Sequence, residues 1–555
     1  MQQAGTQESP QSVSRSTFSG VPPPTVLLLL AICAVIGLWL RCQHLGLRPM
    51  HNDEAVNAIK FRELWENGSW KYDPQEYHGP SLAYSTLVLS WITRAPAFEQ
   101  FTERRLRAVA LVYGLGLILL LPLVADGLGR RGMVWAGLLT AVSPAMVFYS
   151  DYYIHEMLLV FFTFLALGAA WRYWRTRKIG WALTAGLGLG LMDATKETFL
   201  LSLCAAGIAL VLNQAWNRFL DASALPVKPP RLSLWHLAAA AGVWAVIWLL
   251  FYSSFCTNWA GLADSFKTYL PWFRRAGGAS PHLHSWKFYL HRLLLFHPAP
   301  GPIWSEALIF ALAIFGAASG FIRKMLGRAS ASFVRFLAIY SFALMAGYSL
   351  LAYKTPWCAL SFWHGMILQA GVGAAVLHRK AALATLLPPV ILGIAAKRVV
   401  RFAVPILLLA GAANLGWQAA LATGTFAADQ RNPYVYAQTT PEVEKAADEI
   451  EALANASPKG HDLAIKVIGC DGDYWPLPWY LRRFKNVGYW DSMPSEPYAD
   501  VMLVCSKLQA ALDEKKTHLM RHEFALRPSA MMEFYVELEV WKSFLSKNPP
   551  KPDAD

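Results

Sequence analysis

Eleven apolar stretches constrain the fold of this chain more than any other feature. A bilayer core takes roughly 20 consecutive helical residues, and each stretch reaches or approaches that length. They are residues 25–46, 107–128, 132–149, 155–171, 180–194, 198–215, 234–255, 303–322, 333–353, 359–377 and 402–424. Two further stretches, 78–91 and 383–396, are short or interrupted by prolines, and we interpret them as interfacial or re-entrant. The pattern predicts a mainly α, polytopic helical membrane protein with about 11 to 13 spans.

Charge supports this reading and predicts an orientation. Charged residues make up only 16% of the chain, against about a quarter in soluble proteins, which excludes a single large soluble globule. Short loops on one side of the bundle carry 14 Lys and Arg, whereas those on the other side carry only Lys196 and Lys354. Positively charged loops stay in the cytoplasm, so we expect a multi-pass protein of the cytoplasmic (inner) membrane. The net charge of +13 is assigned to orientation, and no nucleic-acid partner is expected.

We divide the chain into three parts. Residues 1–24 are predicted to form a disordered cytoplasmic segment. Residues 25–424 are predicted to form a transmembrane domain with outer loops at 48–104, 149–156 and 256–302. Residues 425–555 have a soluble composition, with a helical pattern in PEVEKAADEIEALANAS and strand patterns in DLAIKVIG and ADVMLVCS. They predict a small extracytoplasmic α/β domain. The seven cysteines show no CxxC spacing, which excludes a disulfide-stapled scaffold and a Cys-based zinc site.

Acidic residues are concentrated in the outward-facing loops. Asp53 and Glu54 directly follow the first span, and they suit either the first turn of a helix or a general base toward a hydroxyl. Asp151, His155 and Glu156 in the second outer loop are spaced so that a helix would turn them into one cleft. The alternative is structural pairing with Lys196 or with arginines, because an unpaired acid near the bilayer boundary is costly.

Cations occupy other outward turns. Lys196 lies between two apolar helices, where it suits a phosphate oxygen or snorkels to the interface. Arg274 and Arg275 in the fourth outer loop, and Lys354 in the fifth, are further candidates for a phosphate.

Aromatic and metal-ligating side chains complete the set. Tyr77 and Trp357 could offer faces for a sugar ring, although Trp357 equally suits an aromatic anchor at the membrane surface. Glu76 and His78 could ligate a divalent metal. Carboxylates, cations and aromatic rings on one side suit a sugar donor linked to lipid phosphate, with its polyprenyl tail between the spans.

Several motifs follow one another between about residues 25 and 365. An Asp-Glu pair after the first span is followed by YHGPSL, RRLRAVALVYG, LLTAVSPAMVFYSDYYIHE and GLGLGLMDATKET. This order resembles the C-type integral-membrane glycosyltransferases, which include protein O-mannosyltransferases and aminoarabinose transferases. YHGPSL, YKTPW and the C-terminal WPLPWYLRR look closest to a loosely defined prokaryotic group within that superfamily.

The resemblance implies roles for particular residues. Asp53 takes the catalytic acid position with Glu54 beside it, Asp151 takes the second-loop acidic position, and Lys196 takes the position near the lipid phosphate. Aminoarabinose transferases hold a metal through a Glu and a fourth-loop His. Glu76, His78 and His284 lie in the corresponding neighbourhoods, so a divalent metal is a candidate cofactor.

We therefore expect a hexosyltransferase that moves a sugar from a polyprenyl-phosphate-linked donor to an acceptor hydroxyl at the outer face, by an inverting single displacement. The acceptor is a lipid, a glycan or a protein, and membrane lipids surround the spans. The first alternative is a lipid-linked sugar flippase or transporter component, since intramembrane charge also marks substrate paths. The second is a catalytically inactive assembly protein.

Overall fold

The computed structural model describes residues 23–75, 78–220, 232–278, 282–384, 394–470 and 473–549. A helical bundle precedes a small sheet in the chain. The helices of the bundle are α1 (Pro24–Cys42), α2 (Asn52–Asn67), α3 (Ser81–Ile92), α4 (Glu103–Leu120), α5 (Ala125–Leu128), α6 (Arg130–Val142), α7 (Pro144–Phe148), α8 (Glu156–Thr176), α9 (Ile179–Asp193), α10 (Phe199–Phe219), α11 (Leu234–Tyr252), α12 (Ala260–Lys267), α13 (Tyr269–Ala276), α14 (Phe288–Leu294), α15 (Ala307–Phe321), α16 (Ala331–Leu350), α17 (Leu360–Ala384) and α18 (Ile394–Thr423).

Eight helices within the described ranges are long and apolar enough to cross a membrane. A ninth candidate is the pair formed by α6 and α7, which is bent by 58°. The bend occurs at Ser143-Pro144, because Pro144 cannot donate a backbone hydrogen bond to α6. Ser143 then caps α7 by accepting a bond from the N–H of Met146 at 3.5 Å.

Each of the eleven predicted stretches is helical, but the predicted number of spans is higher than helix length supports. Helices α9 and α15 have 15 residues each, which is shorter than a bilayer core requires. The stretch at 78–91 forms the 12-residue α3 and is too short to span, as predicted. Most of the 383–396 stretch, and nearly all of the predicted disordered segment 1–24, lies outside the described residues.

The two ends of the bundle carry different chemistry. Arg107 near the start of α4 lies 3.8 Å from Asp151 after α7, and we call this the site end. The first turn of α6, at Arg130, and the last turns of α17, near Arg379, lie at the opposite end, where they line one cavity.

A five-stranded mixed sheet follows the bundle in the chain. Its strand order is β2-β1-β3-β5-β4, with β1 parallel to β2 and β3, and β5 antiparallel to β3 and β4. The helix predicted at PEVEKAADEIEALANAS and the strands predicted at DLAIKVIG and ADVMLVCS are confirmed as α19, β1 and β3. The elements are α19 (Glu442–Ala456), β1 (Ala464–Ile468), α20 (Leu477–Tyr480), β2 (Asn486–Trp490), β3 (Val501–Cys505), β4 (His518–Arg527), β5 (Ala530–Glu537) and α21 (Leu538–Lys547).

The sheet contains a disulfide that the cysteine spacing did not predict. Cys470 follows β1 and Cys505 ends β3, and the two form a disulfide across 35 residues of sequence. Because β1 and β3 are adjacent parallel strands, their carboxyl ends meet at the same edge of the sheet. The pairing depends on sheet topology, and therefore no local motif reveals it.

The WPLPWYLRR motif docks the sheet against the first outer loop of the bundle. Trp479 donates its indole N–H to Glu103 at 2.6 Å, and the hydroxyl of Tyr480 accepts the N–H of Met50 at 2.9 Å. Arg482 donates to the backbone carbonyl of Phe101 at 2.6 Å. The motif thus holds the sheet over the site end.

We expect a rise in pH to weaken the docking of the sheet on the bundle, through Glu444. Burial and the nearby Glu103 carboxylate raise the pKa of Glu444 from 4.5 to about 7, against the effect of Arg107. The folded protein therefore binds this proton more tightly than the unfolded chain does, and the associated stability is full below about pH 4.5 and lost as the pH rises through about 7. The thermal unfolding midpoint should fall between these values in wild type and fall less in Glu444→Gln.

Glu539→Gln is the matched control, because Glu539 lies on the exposed face of α21 and, in the part of the chain that the structure describes, pairs with Lys542 alone. An equal change of the unfolding midpoint with pH in Glu444→Gln and in Glu539→Gln would show that Glu444 does not cause the pH dependence.

Candidate active site

Two motifs from distant parts of the chain meet at the site end. The N–H of Gly79 donates to the carbonyl of Thr195 at 3.1 Å, and the N–H of Ser81 donates to the carbonyl of Ala194 at 2.9 Å. A side chain at position 79 would collide with the carbonyl of Ala194, so only glycine permits this approach. These two bonds fix YHGPSL against MDATKET, and we call this contact the Gly79 joint.

Glu54 is the centre of a buried ionic cluster. Its carboxylate is fully buried and accepts bonds from Arg107 at 2.8 and 2.9 Å and from Arg48 at 3.0 and 3.3 Å. The backbone N–H groups of His51 and Tyr153 donate to it at 3.0 and 2.9 Å. Despite burial, the two arginines hold the pKa of Glu54 well below its usual range. Glu54 joins the first outer loop, α4 and the second outer loop.

Asp151 belongs to the same cluster but is less completely bonded. Its carboxylate lies 3.8 Å from the Nε of Arg107, while its backbone carbonyl accepts a bond from Arg48 at 2.5 Å. Its Oδ1 atom is buried and forms no hydrogen bond within the described residues. Asp151 is thus close to the predicted site, but the side chain is only 3% exposed.

Asp53 differs from both neighbouring acids because its carboxylate is open. Successive residues of a helix point about 100° apart, so Glu54 faces inward and the side chain of Asp53 remains 51% exposed. Its backbone N–H is bound by the Nδ1 of His51 at 3.1 Å, and its carboxylate lies 4.0 Å from that ring. Burial lowers the pKa of His51, which favours a neutral ring beside Asp53.

Lys196 forms a buried ion pair with Glu156. Burial alone would lower the pKa of Lys196, but the carboxylate of Glu156 raises it well above its ordinary value, so the ammonium stays charged. Glu156 therefore forms the structural ion pair with Lys196 that the sequence left open as the alternative to a place in the substrate cleft. Lys196 retains further donors, because an ammonium group has three N–H bonds.

His78 and His155 lie beside this pair. The Nδ1 of His78 is 2.9 Å from Glu197, and although burial opposes ionisation, His78 lowers the pKa of Glu197 to about 2. The Nε2 of His155 is 3.0 Å from the carbonyl of Gly79. Burial holds the pKa of His155 well below its usual range, so this ring is neutral and supports the joint at Gly79.

The segment 433–440, which leads into the sheet, crosses the site end. The hydroxyl of Tyr436 lies 2.9 Å from His282 and 2.8 Å from His284, and its carbonyl lies 3.1 Å from the Nε2 of His51. Lys354 donates to the carbonyl of His284 at 2.9 Å. These contacts connect the fourth and fifth outer loops to the residues beside Asp53.

Trp357 packs inside this region. Its ring contacts those of His51, Tyr152 and Tyr436 at centroid distances of 5.6 to 6.1 Å, and the residue is 6% exposed. It supports the loops around Asp53 and offers little free surface to a sugar.

The remaining predicted residues are more distant or outside the described ranges. Arg274 and Arg275 lie at the end of α13, and Arg275 donates to the carbonyl of Gln75 at 2.8 Å. Glu76 and Tyr77 are not among the described residues. Within the described ranges, no three His, Cys, Asp or Glu side chains gather so that they could hold a metal ion.

Four residues that organise the site were not identified from the sequence: Arg48, Arg107, Glu306 and Tyr436. Arg48 and Arg107 bind Glu54, and Glu306 is fully buried with bonds from Ser143 and Tyr434 at 2.5 and 2.7 Å. A charged residue within an apolar stretch is costly unless it is paired, and this signal was available for Arg107 and Glu306. No comparable signal marks Tyr436.

An apolar cavity of about 840 Å³ lies directly beside the Gly79 joint. Ser81 and Tyr84 of α3 line its wall nearest the joint. Its other walls are formed largely by apolar side chains of α2, α4, the end of α11 and the turn after it, which include Leu64, Trp65, Val109, Val112, Phe251 and Phe255. An apolar chain of an amphipathic ligand would fit here, with its polar end at the joint.

The comparisons with known proteins bear on the fold. No protein-family model matches the chain, and no curated protein matches it in sequence. Its structure is similar to that of ArnT from Cupriavidus metallidurans bound to undecaprenyl phosphate, with a TM-score of 0.56 and 16% identity over 92% of this chain and 98% of that one. The apo form of ArnT gives a TM-score of 0.58 and 15% identity over 93% and 98%. The chain therefore shares the fold of ArnT, in agreement with the resemblance found in the sequence and with the predicted mainly helical membrane fold.

Proposed function

We propose that the chain is a membrane glycosyltransferase that moves a sugar from a polyprenyl-phosphate-linked donor to an acceptor hydroxyl. The observation that carries the proposal is the open carboxylate of Asp53, which stands at the surface of a cluster whose other acids are buried or paired. A flippase would have no evident use for such a carboxylate, and so we prefer the transferase.

Asp53 acts as the general base of an inverting single displacement. The acceptor hydroxyl oxygen attacks the anomeric carbon as its proton passes to Asp53, and the bond between that carbon and the phosphate oxygen breaks. Polyprenyl phosphate leaves with the electron pair of that bond. Glu54 takes no proton, because two arginines already neutralise it; it positions Asp53 through the first turn of α2.

Lys196 and Lys354 bind the donor phosphate. Lys354 donates to backbone carbonyls of His284 and Leu351 and is ion-paired with no carboxylate in the described ranges. The side chain is buried, so its positive charge, which no described carboxylate neutralises, favours an anion that enters the site. Preorganised cations at the departing phosphate stabilise the charge that develops there.

ArnT, whose fold this chain shares, binds undecaprenyl phosphate, and a lipid of this kind needs an apolar site for its tail. In this chain the apolar cavity beside Gly79 and Ser81 would take the prenyl units next to the phosphate. The remainder of the tail would extend between α3, α4 and α11 toward the membrane.

The acceptor would approach from the sheet side. Thr439 donates to the carbonyl of Met50 at 2.7 Å, and the N–H of Thr440 donates to the carbonyl of Leu526 at 3.1 Å. These bonds bring Arg527, which follows Leu526 in the chain, over the start of α2, where Asp53 lies. Burial lowers the pKa of Arg527, and the charge of Asp53 partly restores it. Arg527 is already ion-paired with Asp473, and we assign its remaining N–H donors to orienting the acceptor above Asp53.

The proposed location is the outer face of the cytoplasmic membrane. The basic loops favour this orientation, and the disulfide between Cys470 and Cys505 suits the oxidising compartment outside.

The candidate metal ligands do not fit one ion. His78 is bound to Glu197, whereas His284 is bound to the hydroxyl of Tyr436, so the two rings belong to separate groups. We derive no step through a metal.

Lipid analysis of the purified protein tests the proposed function. Mass spectrometry of detergent-purified protein should identify a polyprenyl phosphate, or its sugar-linked form, in excess over its share of the membrane lipids. Co-purification of bulk phospholipids alone, from cells that contain the polyprenyl lipid, would count against the proposal.

The role of Lys196 gives a second prediction. Lys196→Ala should weaken donor binding by about 10- to 100-fold, the range for loss of a bond to a charged group, and Lys196→Arg should weaken it less. Because Lys196→Ala leaves Glu156 unpaired, the double variant with Glu156→Gln is measured beside it. Lys267→Ala is the control, since Lys267 is exposed and its ion-pair partner within the described ranges is Asp264. Wild-type donor affinity in the double variant would show that Lys196 does not bind the donor.

A further inference from the structure

A second cavity lies at the end of the bundle opposite to the candidate active site. Its volume is about 400 Å³, within the usual range for a small-molecule site. The last turns of α17 form one wall, and two turns of the chain form the others: Leu128-Gly129-Arg130 and Leu326-Gly327-Arg328. We call it the basic cavity.

The two turns have the same Leu-Gly-Arg sequence and are fixed against each other. Gly129 and Gly327 have φ angles of +74° and +64°, which side-chain-bearing residues rarely adopt. The N–H of Ser330 donates to the carbonyl of Gly127 at 3.0 Å. Arg379 donates to the carbonyl of Lys324 at 3.4 Å and to that of Met325. The cavity is therefore a built feature of the fold.

The lining of the basic cavity has one sign of charge. Arg130, Arg131, Arg328 and Arg379 line it, and no Asp or Glu is among its described lining residues. The nearby Asp126 is already bound to Arg172 and Arg175, at 3.3 Å each. The first turn of α6 also lines the cavity without a side-chain cap, which adds the partial positive charge of a helix N-terminus.

We propose that the basic cavity binds the phosphate group of an anionic membrane lipid. Arginine matches phosphate through paired N–H donors, and basic pockets between helices at the membrane surface recognise lipid head groups of this kind. Ile322 is an exposed apolar side chain that lines a neighbouring surface pocket together with Gly327 of the cavity, and it would contact the acyl chains. Inorganic phosphate offers the same chemistry without that apolar contact.

The test titrates the detergent-purified full-length protein with lipid and resolves bound species by native mass spectrometry. The probes are phosphatidylglycerol, phosphatidylcholine of equal chain length, and inorganic phosphate as a competitor. Arg131→Ala with Arg328→Ala removes two exposed cations of the cavity. Lys178→Ala with Arg218→Ala is the matched control, because it removes two exposed cations from the same end of the bundle outside the cavity.

We expect the cavity variant to bind phosphatidylglycerol about 10- to 100-fold more weakly than wild type, the range for loss of a bond to a charged group. The control variant should change binding by less than about threefold, because solvent screens exposed charges that do not contact the ligand. Ala375→Leu fills the cavity at one of its lining residues while keeping every charge, and it should weaken binding as well. This variant keeps the test valid if the double arginine variant is unstable.

Equal losses in the two double variants, together with unchanged binding in Ala375→Leu, would overturn the proposal, because general surface charge would explain the result. Equal binding of phosphatidylcholine would also overturn it. Binding of inorganic phosphate to wild type as tightly as phosphatidylglycerol would reject the lipid and reassign the cavity to free phosphate, because the acyl chains would then contribute nothing.

Discussion

Turnover should fall by about 10²- to 10⁴-fold in Asp53→Asn, which is the usual cost of removing a general base. Asparagine has nearly the same shape as aspartate but cannot accept the proton of the attacking hydroxyl. The side chain of Asp53 is half exposed and makes no buried ion pair, so the variant should fold and bind donor as wild type does. The measurement is release of polyprenyl phosphate from the co-purified donor class.

Glu63→Gln is the matched control for this experiment. Glu63 is a half-exposed acid on the same helix, and among the described residues its ion-pair partner is Lys60 at 3.5 Å, so its loss should leave turnover unchanged. Near-wild-type turnover in Asp53→Asn, at equal donor occupancy, would reject the assignment of the base.

Glu54→Gln should destabilise the protein by about 3 to 5 kcal/mol, the range for breaking a buried ion pair by removing one partner. The substitution leaves the guanidinium groups of Arg48 and Arg107 buried without the carboxylate that binds both. The midpoint of thermal unfolding in detergent measures the effect. Donor turnover should fall with it, because Asp53 is held by the same helix start.

Glu99→Gln provides the comparison for Glu54. Glu99 pairs with Arg62 at 3.3 Å with both side chains more than a third exposed, and such pairs contribute about 0 to 1 kcal/mol. Similar shifts in the unfolding midpoint for the two variants would mean that the buried cluster does not stabilise the site end.

The helices were largely predictable, because a helix that crosses a bilayer needs an apolar stretch of roughly 20 residues and the sequence shows such stretches directly. Hydropathy places α1, α4 and α8 without any knowledge of their neighbours. It does not give the exact number of spans, since α9 and α15 are apolar but have only 15 residues each. Whether such a short helix crosses a bilayer depends on packing and tilt, which composition does not specify.

The candidate site was predictable in its residue types and less so in their geometry. The sequence marks Asp53 and Glu54 equally, and only the packed helix shows that one carboxylate is open and the other buried. Similarly, the alternatives for Glu156 were substrate binding or pairing with Lys196, and the ion pair is formed.

Residues that act across long sequence distances were not predictable. Tyr436 lies more than 150 positions from His282 and His284, yet its hydroxyl contacts both. Arg527 reaches the Asp53 loop only because the sheet docks on the bundle. Pairings of this kind follow from topology, and a single sequence carries no local signal for them.

The central claim is that this chain transfers a sugar from polyprenyl phosphate to a hydroxyl, and one product analysis tests it most directly. Purified protein would be incubated with its co-purified polyprenyl-phosphate sugar and a mixture of lipid, glycan and peptide acceptors. We expect equimolar polyprenyl phosphate and glycosylated acceptor, with the anomeric configuration of the sugar inverted. An intact donor and no glycosylated product would contradict the claim of transfer, and retention of configuration would contradict the single displacement.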